Sequence, residues 1–278
     1  MALKQKQRTA VRQAFLNAAI VILIAVMLYP LAMAFWSALK NEAEFRYAKW
    51  WPTLPIWFDN IRDAFTSLSR YMLNTVFVAV CGTAGMLIVS SLAAYAFSKL
   101  DFPGKNAIFM AVIALMMIPG ILTLVPSFML YKGIVGTDNY LILILPQVVG
   151  PVFAVFLLRS FFEGLPGAVF EAARIDGASE LSVYTRICLP LSMPIMGTLT
   201  VMQISGAWSD YAWPLITIKS ERFYPISLGL MLRYVGSNST DYPHLTAGYL
   251  VASFPLIFLF IFANKFYVQG LTGSAMKL

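Results

Sequence analysis

Residues 71–98 read YMLNTVFVAVCGTAGMLIVSSLAAYAFS, with no Asp, Glu, Lys, Arg or His. About 20 mostly apolar residues, rising 1.5 Å each, cross the roughly 30 Å hydrocarbon core of a bilayer. Lipid offers backbone N–H and C=O groups no partner, so a run like this must be helical. Five further runs with uncharged interiors flank it. Together they predict spans at 13–37, 72–98, 106–130, 139–159, 187–212 and 245–265. The composition agrees: 59% of residues are hydrophobic, 12% are charged and the mean hydropathy is +0.74. A soluble domain carries about 25% charged residues. An ordinary soluble enzyme, a disordered chain and a disulfide scaffold are excluded. The expected fold class is an all-α polytopic membrane protein with six transmembrane helices, forming a single transmembrane domain over 1–278. Pro119, Pro126, Pro146, Pro151 and Pro194 fall in or beside the spans. Proline there predicts kinked or broken helices, which often line cavities.

The net charge of +7 has a membrane explanation. Lys and Arg hold loops at the cytoplasmic lipid surface, so no nucleic-acid partner is expected. Lys4, Lys6, Arg8 and Arg12 place the N-terminus in the cytoplasm, and an even span count returns the C-terminus there. Ala32-Met33-Ala34 has the look of a signal cleavage site. The preceding run, however, exceeds the 7–15 residues of a signal h-region, which predicts an uncleaved anchor. Trp50, Trp51 and Trp57, in the long outer loop, read as interfacial anchors. Cys81, Cys188 and His244 are too scattered for a metal site.

The span interiors lack the ionisable groups that ion-driven carriers use for relays. Asp210 and His244 lie at span ends. There is no phosphate-cradling G-x-x-x-x-G-K-[ST], and no G-x-S-x-G or H-E-x-x-H. A self-contained secondary carrier would show an intramembrane acid or histidine, and an intramembrane enzyme would show convergent reactive groups. Uphill transport by this chain would need energy from another polypeptide.

The inner loop 160–190 contains FEGLPGAVFEAARIDGASELSVYTRICLP over 162–190. Helix–helix connections usually take 2–8 residues, so this loop is long. Pro166 suits a helix start, Gly177 a left-handed stop and Ser179 the cap of a second short helix. The product is an amphipathic helix–turn–helix. It could lie on the lipid headgroups or insert into a cleft on a soluble partner.

Glu171-Ala172-Ala173, Gly177, Ile187 and Leu189-Pro190 stand at the spacing of the EAA motif. On these residues the chain resembles the membrane subunits of binding-protein-dependent ABC importers. Ala94-Tyr95-Ala96 with Phe102-Pro103-Gly104-Lys105, Met117-Ile118-Pro119, Trp208-Ser209-Asp210-Tyr211, Trp213-Pro214-Leu215 and Gln269-Gly270-Leu271-Thr272 are similar to the carbohydrate-uptake subfamily. The closest likeness is to the six-span member of maltose-type and glycerol-3-phosphate-type permease pairs. Ser209 stands where that family commonly has Asn.

The resemblance implies a type I importer permease fold in the cytoplasmic (inner) membrane of a prokaryote. It implies a coupling role for Glu171, Ala172, Ala173, Asp176, Gly177, Ile187, Leu189 and Pro190, with Glu171 pairing with a basic residue of an ATPase subunit. The implied partners are a second homologous permease, two ATPase subunits carrying ATP and Mg, and an extracytoplasmic solute-binding protein. This chain itself would bind no cofactor and catalyse no reaction. The implied cargo is a sugar or oligosaccharide, with a glycerol-3-phosphate-like ester as the alternative. A phosphate ester calls for basic residues, which the spans lack, so a neutral sugar is favoured. Asn74, Gln147, Gln203, Ser205, Trp208 and Tyr211 are the candidate path residues. Polar groups in membrane helices also serve as glue between helices, and aromatics as an interfacial belt.

Overall fold

The computed structural model describes residues 2–235 and 240–275, with side chains over 12–235 and 240–263. The terminal segment 269–272 and the basic side chains of Lys4, Lys6 and Arg8 lie outside the described side chains. The described residues form helices and one isolated bridge, Val235 with Thr240. The chain falls into two compact units, Met1–Leu68 with Leu230–Ser253, and Ser69–Gly229 with Phe254–Leu278.

Four helical stretches are long and apolar enough to span a bilayer: Arg12–Ala38, Asp59–Lys99, Leu141–Glu163 and Tyr242–Ala263. Two bent pairs also qualify if each is one span, which gives up to six. Several expected boundaries change. The 139–159 run is interrupted at Gly150 and Pro151. The 106–130 run is broken: α4 (Lys105–Ala114) and a 3-10 turn lead to α5 (Gly120–Val135) through a bend of 106°. Pro119 has no N–H to donate, and it disfavours helical backbone at Ile118, which is extended. The 187–212 run is helical as α11 only over Met193–Ser209, beyond a bend of 73° at Ser192. The 72–98 run lies inside a much longer helix, α3 (Asp59–Lys99). At 1.5 Å per residue α3 is about 60 Å long, twice the hydrocarbon thickness. Its early turns carry Asp59, Arg62, Asp63 and Arg70. Charge decides where lipid can begin, but a helix can continue past that point.

In the first unit, α1 (Ala2–Ala38) leads to α2 (Glu42–Tyr47). Asn41 and Glu44 close a capping box: the Glu44 amide donates to Asn41 Oδ1 at 2.8 Å and the Asn41 amide to Glu44 Oε2 at 3.2 Å. Lys40 is buried, and its ammonium donates to the carbonyls of Ala48 and Trp51. Asn60 Nδ2 donates to the carbonyls of Ala38 at 2.9 Å and Lys40 at 2.7 Å. These bonds close the loop after α1 and satisfy its buried backbone groups.

In the second unit, α6 (Leu141–Val149) packs against α3. A Cβ added at Gly82 would lie 2.4 Å from Gln147 Oε1, and one at Gly85 would lie 2.5 Å from Val148 Cγ2. Two hydrogens therefore set the approach of these helices. The main core joins Met86, Ala94 and Tyr95 of α3 to Ala154, Leu158 and Phe162 of α7 (Val152–Glu163) and to Ile195 and Leu199 of α11. Phe170, Val183, Tyr184 and Cys188, from the inner loop, complete it. After α11 come α12 (Ala212–Thr217) and α13 (Ile226–Tyr234), both too short to register as spans in the sequence.

Candidate functional site: a two-helix loop and a cavity

In the loop 160–190, Pro166 precedes α8 (Gly167–Ile175), an N-terminal position where a missing N–H costs nothing. The helix ends in a Schellman motif: Ala178 N donates to Ala173 O at 3.0 Å and Gly177 N to Arg174 O at 3.1 Å. Gly177 has φ +80, a region that a side chain enters only with strain. A Cβ there would meet nothing within 4 Å, so the requirement for glycine is conformational and not steric. Ser179 accepts from the Ser182 amide at 3.3 Å and caps α9 (Glu180–Val183). A π-turn over Tyr184–Cys188 and α10 (Leu189–Leu191) then lead to α11.

The two faces of this segment differ. Phe170, Val183, Tyr184 and Cys188 are buried, with Ala173, Ile187 and Leu189 packed beside them. Glu171, Ala172, Asp176, Gly177 and Pro190 are exposed. So are two large apolar side chains, Ile175 at 86% and Leu181 at 68%. Motif residues are thus divided: one subset fastens the segment and the other is presented outward.

A cavity of about 530 Å³ lies among α5, α6, α11 and α12, within the second unit. Gln147 and Gln203 both line it, and Gln203 Nε2 donates to Gln147 Oε1 at 3.1 Å. Pro146, Gly150, Pro151 and Gly120 line it too, so the helix breaks at 118–119 and 150–151 both open onto it. No Lys, Arg or His is among the lining residues, whereas Asp210 is. The Trp213 amide donates to Asp210 Oδ1 at 3.3 Å. Trp213 Nε1 donates to Ile142 O at 2.8 Å, and its ring meets Tyr131 edge-on at 5.9 Å.

The other expected path residues sit elsewhere. Asn74 is 6% exposed and fully employed. Its Nδ2 donates to Arg222 O and Tyr224 O at 2.9 and 3.0 Å, and its Oδ1 accepts from the Tyr140 hydroxyl at 2.7 Å. Trp208 is buried, and its carbonyl accepts from the Ser227 hydroxyl. Ser205 and Tyr211 do not line the cavity, and Tyr211 is half exposed. Sequence reasoning missed Thr123, Ser127 and Tyr131. Their spacing of four puts them on one face of α5, which is the signal that could have found them.

At the turn between α5 and α6, Asp138 fastens the segment that follows α12. Its carboxylate accepts from the Ser220 hydroxyl, the Ser220 amide at 2.7 Å and the Lys219 amide at 2.9 Å. The Ser220 hydroxyl is the main cause holding this carboxyl below the usual range, and the two amides reinforce it. Among the described residues, no cluster of three or more His, Cys, Asp or Glu could hold a metal.

Residues 86–272, which contain the helical loop and the cavity, match the family described as binding-protein-dependent transport system inner membrane component. The chain belongs to that family. This permease is 35% identical over 225 residues to the arabinooligosaccharides transport system permease protein AraQ of Bacillus subtilis (strain 168), covering 79% of each chain. It is 29% identical over 271 residues to the sn-glycerol-3-phosphate transport system permease protein UgpE of Escherichia coli O1:K1 / APEC, covering 94% of this chain and 96% of that one. A crystal structure of a bacterial ABC transporter involved in the import of alginate shares the fold. Its TM-score is 0.81 at 22% identity, over 94% of this chain and 98% of that chain. A second structure of an alginate ABC transporter, in complex with an alginate pentasaccharide-bound periplasmic protein, aligns with a TM-score of 0.65 at 18% identity, over 94% of this chain and 95% of that chain. The permease is therefore a membrane-spanning transport subunit of the ABC importer type, and not an enzyme.

Proposed function

We propose that this permease forms half of the path of an ATP-driven sugar importer, with the segment 160–190 as its coupling element. One observation carries the coupling assignment: α8 is anchored by a buried face while Glu171, Ile175, Asp176 and Leu181 project outward. Exposed apolar side chains beside carboxylates suit a groove on a soluble subunit that is apolar within and basic at its rim. That subunit is an ATPase, which holds ATP and Mg. Two ATPases, a second permease and an extracytoplasmic binding protein complete the assembly. Six spans then place both termini in the cytoplasm of a prokaryotic cell, each bent pair counting as one span.

The cargo is a neutral sugar or oligosaccharide. Two amides, a carboxylate and aromatic rings line the cavity, and none of the lining residues is basic. Hydroxyl-rich neutral solutes find donors and acceptors there, whereas a phosphate ester would face Asp210 without a cation. The relative named for arabinooligosaccharides transport supports a sugar class. The sn-glycerol-3-phosphate relative is the competing case.

The test is co-purification of the tagged chain from its native membrane, followed by uptake assays with radiolabelled arabinotriose and glycerol 3-phosphate. A second permease and an ATPase should come along, with uptake of the sugar and not the ester. Isolation of the chain alone would overturn the coupling reading. Uptake of the phosphate ester would overturn the cargo reading.

A further inference from the structure

The coupling segment is entered through Gly164-Leu165-Pro166 and left through the π-turn and the bend at Ser192. Its long-range polar contacts go to α3, some 75 to 93 positions earlier.

Three residues of α3 make these contacts: Ser91, Tyr95 and Lys99. Spaced four apart, they stack on one face over three successive positions along the helix. The segment meets each in turn. The Tyr184 and Ser91 hydroxyls are 2.7 Å apart. The Tyr95 hydroxyl donates to Glu180 Oε2 at 2.6 Å, and the Tyr95 and Tyr184 rings meet edge-on at 5.3 Å. Arg174 Nη2 donates to Lys99 O at 3.1 Å, and the Lys99 ammonium sits 4.2 Å from the centre of the Phe170 ring. Arg174 and Glu180 are themselves paired, Nε to Oε1 at 2.7 Å. Arg174 on α8 and Glu180 on α9 thus tie the two short helices to each other and both to α3. Phe170 and Val183 anchor them with apolar contacts beneath.

We propose that Arg174, Glu180 and Tyr95 are positioning residues. They make α8, α9 and the 91–99 end of α3 one rigid lever, so that displacement of α8 is delivered first to α3. This rests on the coupling role proposed above. Apolar packing alone would permit sliding, whereas a bidentate carboxylate held from both sides fixes register and angle.

The test uses the full complex reconstituted in liposomes, with spin labels at Ala168 on α8 and at exposed Val80 on α3 in a Cys81→Ser, Cys188→Ala background. Pulsed-EPR distances are compared without nucleotide and after ATP–vanadate trapping. The lever requires an unchanged Ala168–Val80 distance in the otherwise wild-type chain, and a shifted, broadened distribution on trapping in Glu180→Ala. The milder Tyr95→Phe should broaden it less, and Arg174→Lys, which keeps the charge but loses the guanidinium fork, should broaden it to an intermediate degree. A distance that changes in the wild-type chain, or that stays fixed in Glu180→Ala, overturns the lever while the coupling role stands. Failure of any ATPase to co-purify removes the coupling role itself, and with it the motion the lever would carry.

Discussion

The helical loop and the cavity are two regions of one unit with contrasting construction. In the loop, the shape-determining residues act on neighbours a few positions away: Pro166 on the first turn of α8, Gly177 on carbonyls three and four residues back, Ser179 on the Ser182 amide. In the cavity, no local rule brings the parts together. Gln147 and Gln203 are 56 positions apart, and Trp213 Nε1 reaches Ile142 O 71 positions back. The loop should therefore fail by loss of a local conformation, and the cavity by loss of single polar contacts that leave the backbone in place.

Gly177→Pro should have the largest effect. Proline fixes φ near −65°, opposite in sign to the +80 found here, and removes the amide that donates to Arg174 O. Uptake should be abolished while ATP hydrolysis by the complex continues. Gly177→Ala, strained by about 1 kcal/mol or more, should be partly uncoupled. Normal uptake by the proline variant would remove the conformational argument.

Glu171→Lys reverses a charge on the exposed face without touching the buried one. ATPase docking should weaken about tenfold or more, as expected for replacing a charge-assisted contact of about 2 kcal/mol by repulsion. Co-purification at rising salt measures this. Retention equal to wild type would break the distinction between the two faces of the loop.

Gln147→Ala removes one of the paired amides in the cavity. A hydrogen bond contributes about 1 kcal/mol, so the uptake KM should rise about fivefold with ATPase co-purification intact. A parallel loss of ATPase binding would mean that cavity and loop do not separate as their construction implies.

Asp138→Asn should have the smallest effect, visible mainly in its pH dependence. Because the folded-state pKa of Asp138 is depressed, its contribution is present above the ordinary carboxylate value near 4 and is lost as pH falls through the lower folded value. The thermal midpoint in detergent should thus lose one acid-sensitive component in Asp138→Asn relative to wild type. Identical acid profiles would show that the staple adds nothing to stability.

The sequence by itself determined that the chain is a helical membrane-spanning protein, because long charge-free runs admit only helices in hydrocarbon. It also determined the turn chemistry at Pro166, Gly177 and Ser179, since capping depends on residues within one helical turn. It predicted two cavity residues, Gln147 and Gln203, from their polarity in apolar helices. It could not separate them from Asn74, whose amide serves the Arg222 and Tyr224 carbonyls, or from Trp208, which is buried and whose own carbonyl accepts from the Ser227 hydroxyl. Nor could it show that α3 starts at Asp59, or that Thr123, Ser127 and Tyr131 line the same cavity as Asp210 and Trp213. Only the tertiary structure decided these. A side chain's polarity is local information, whereas what that polarity satisfies depends on which distant helix is packed against it.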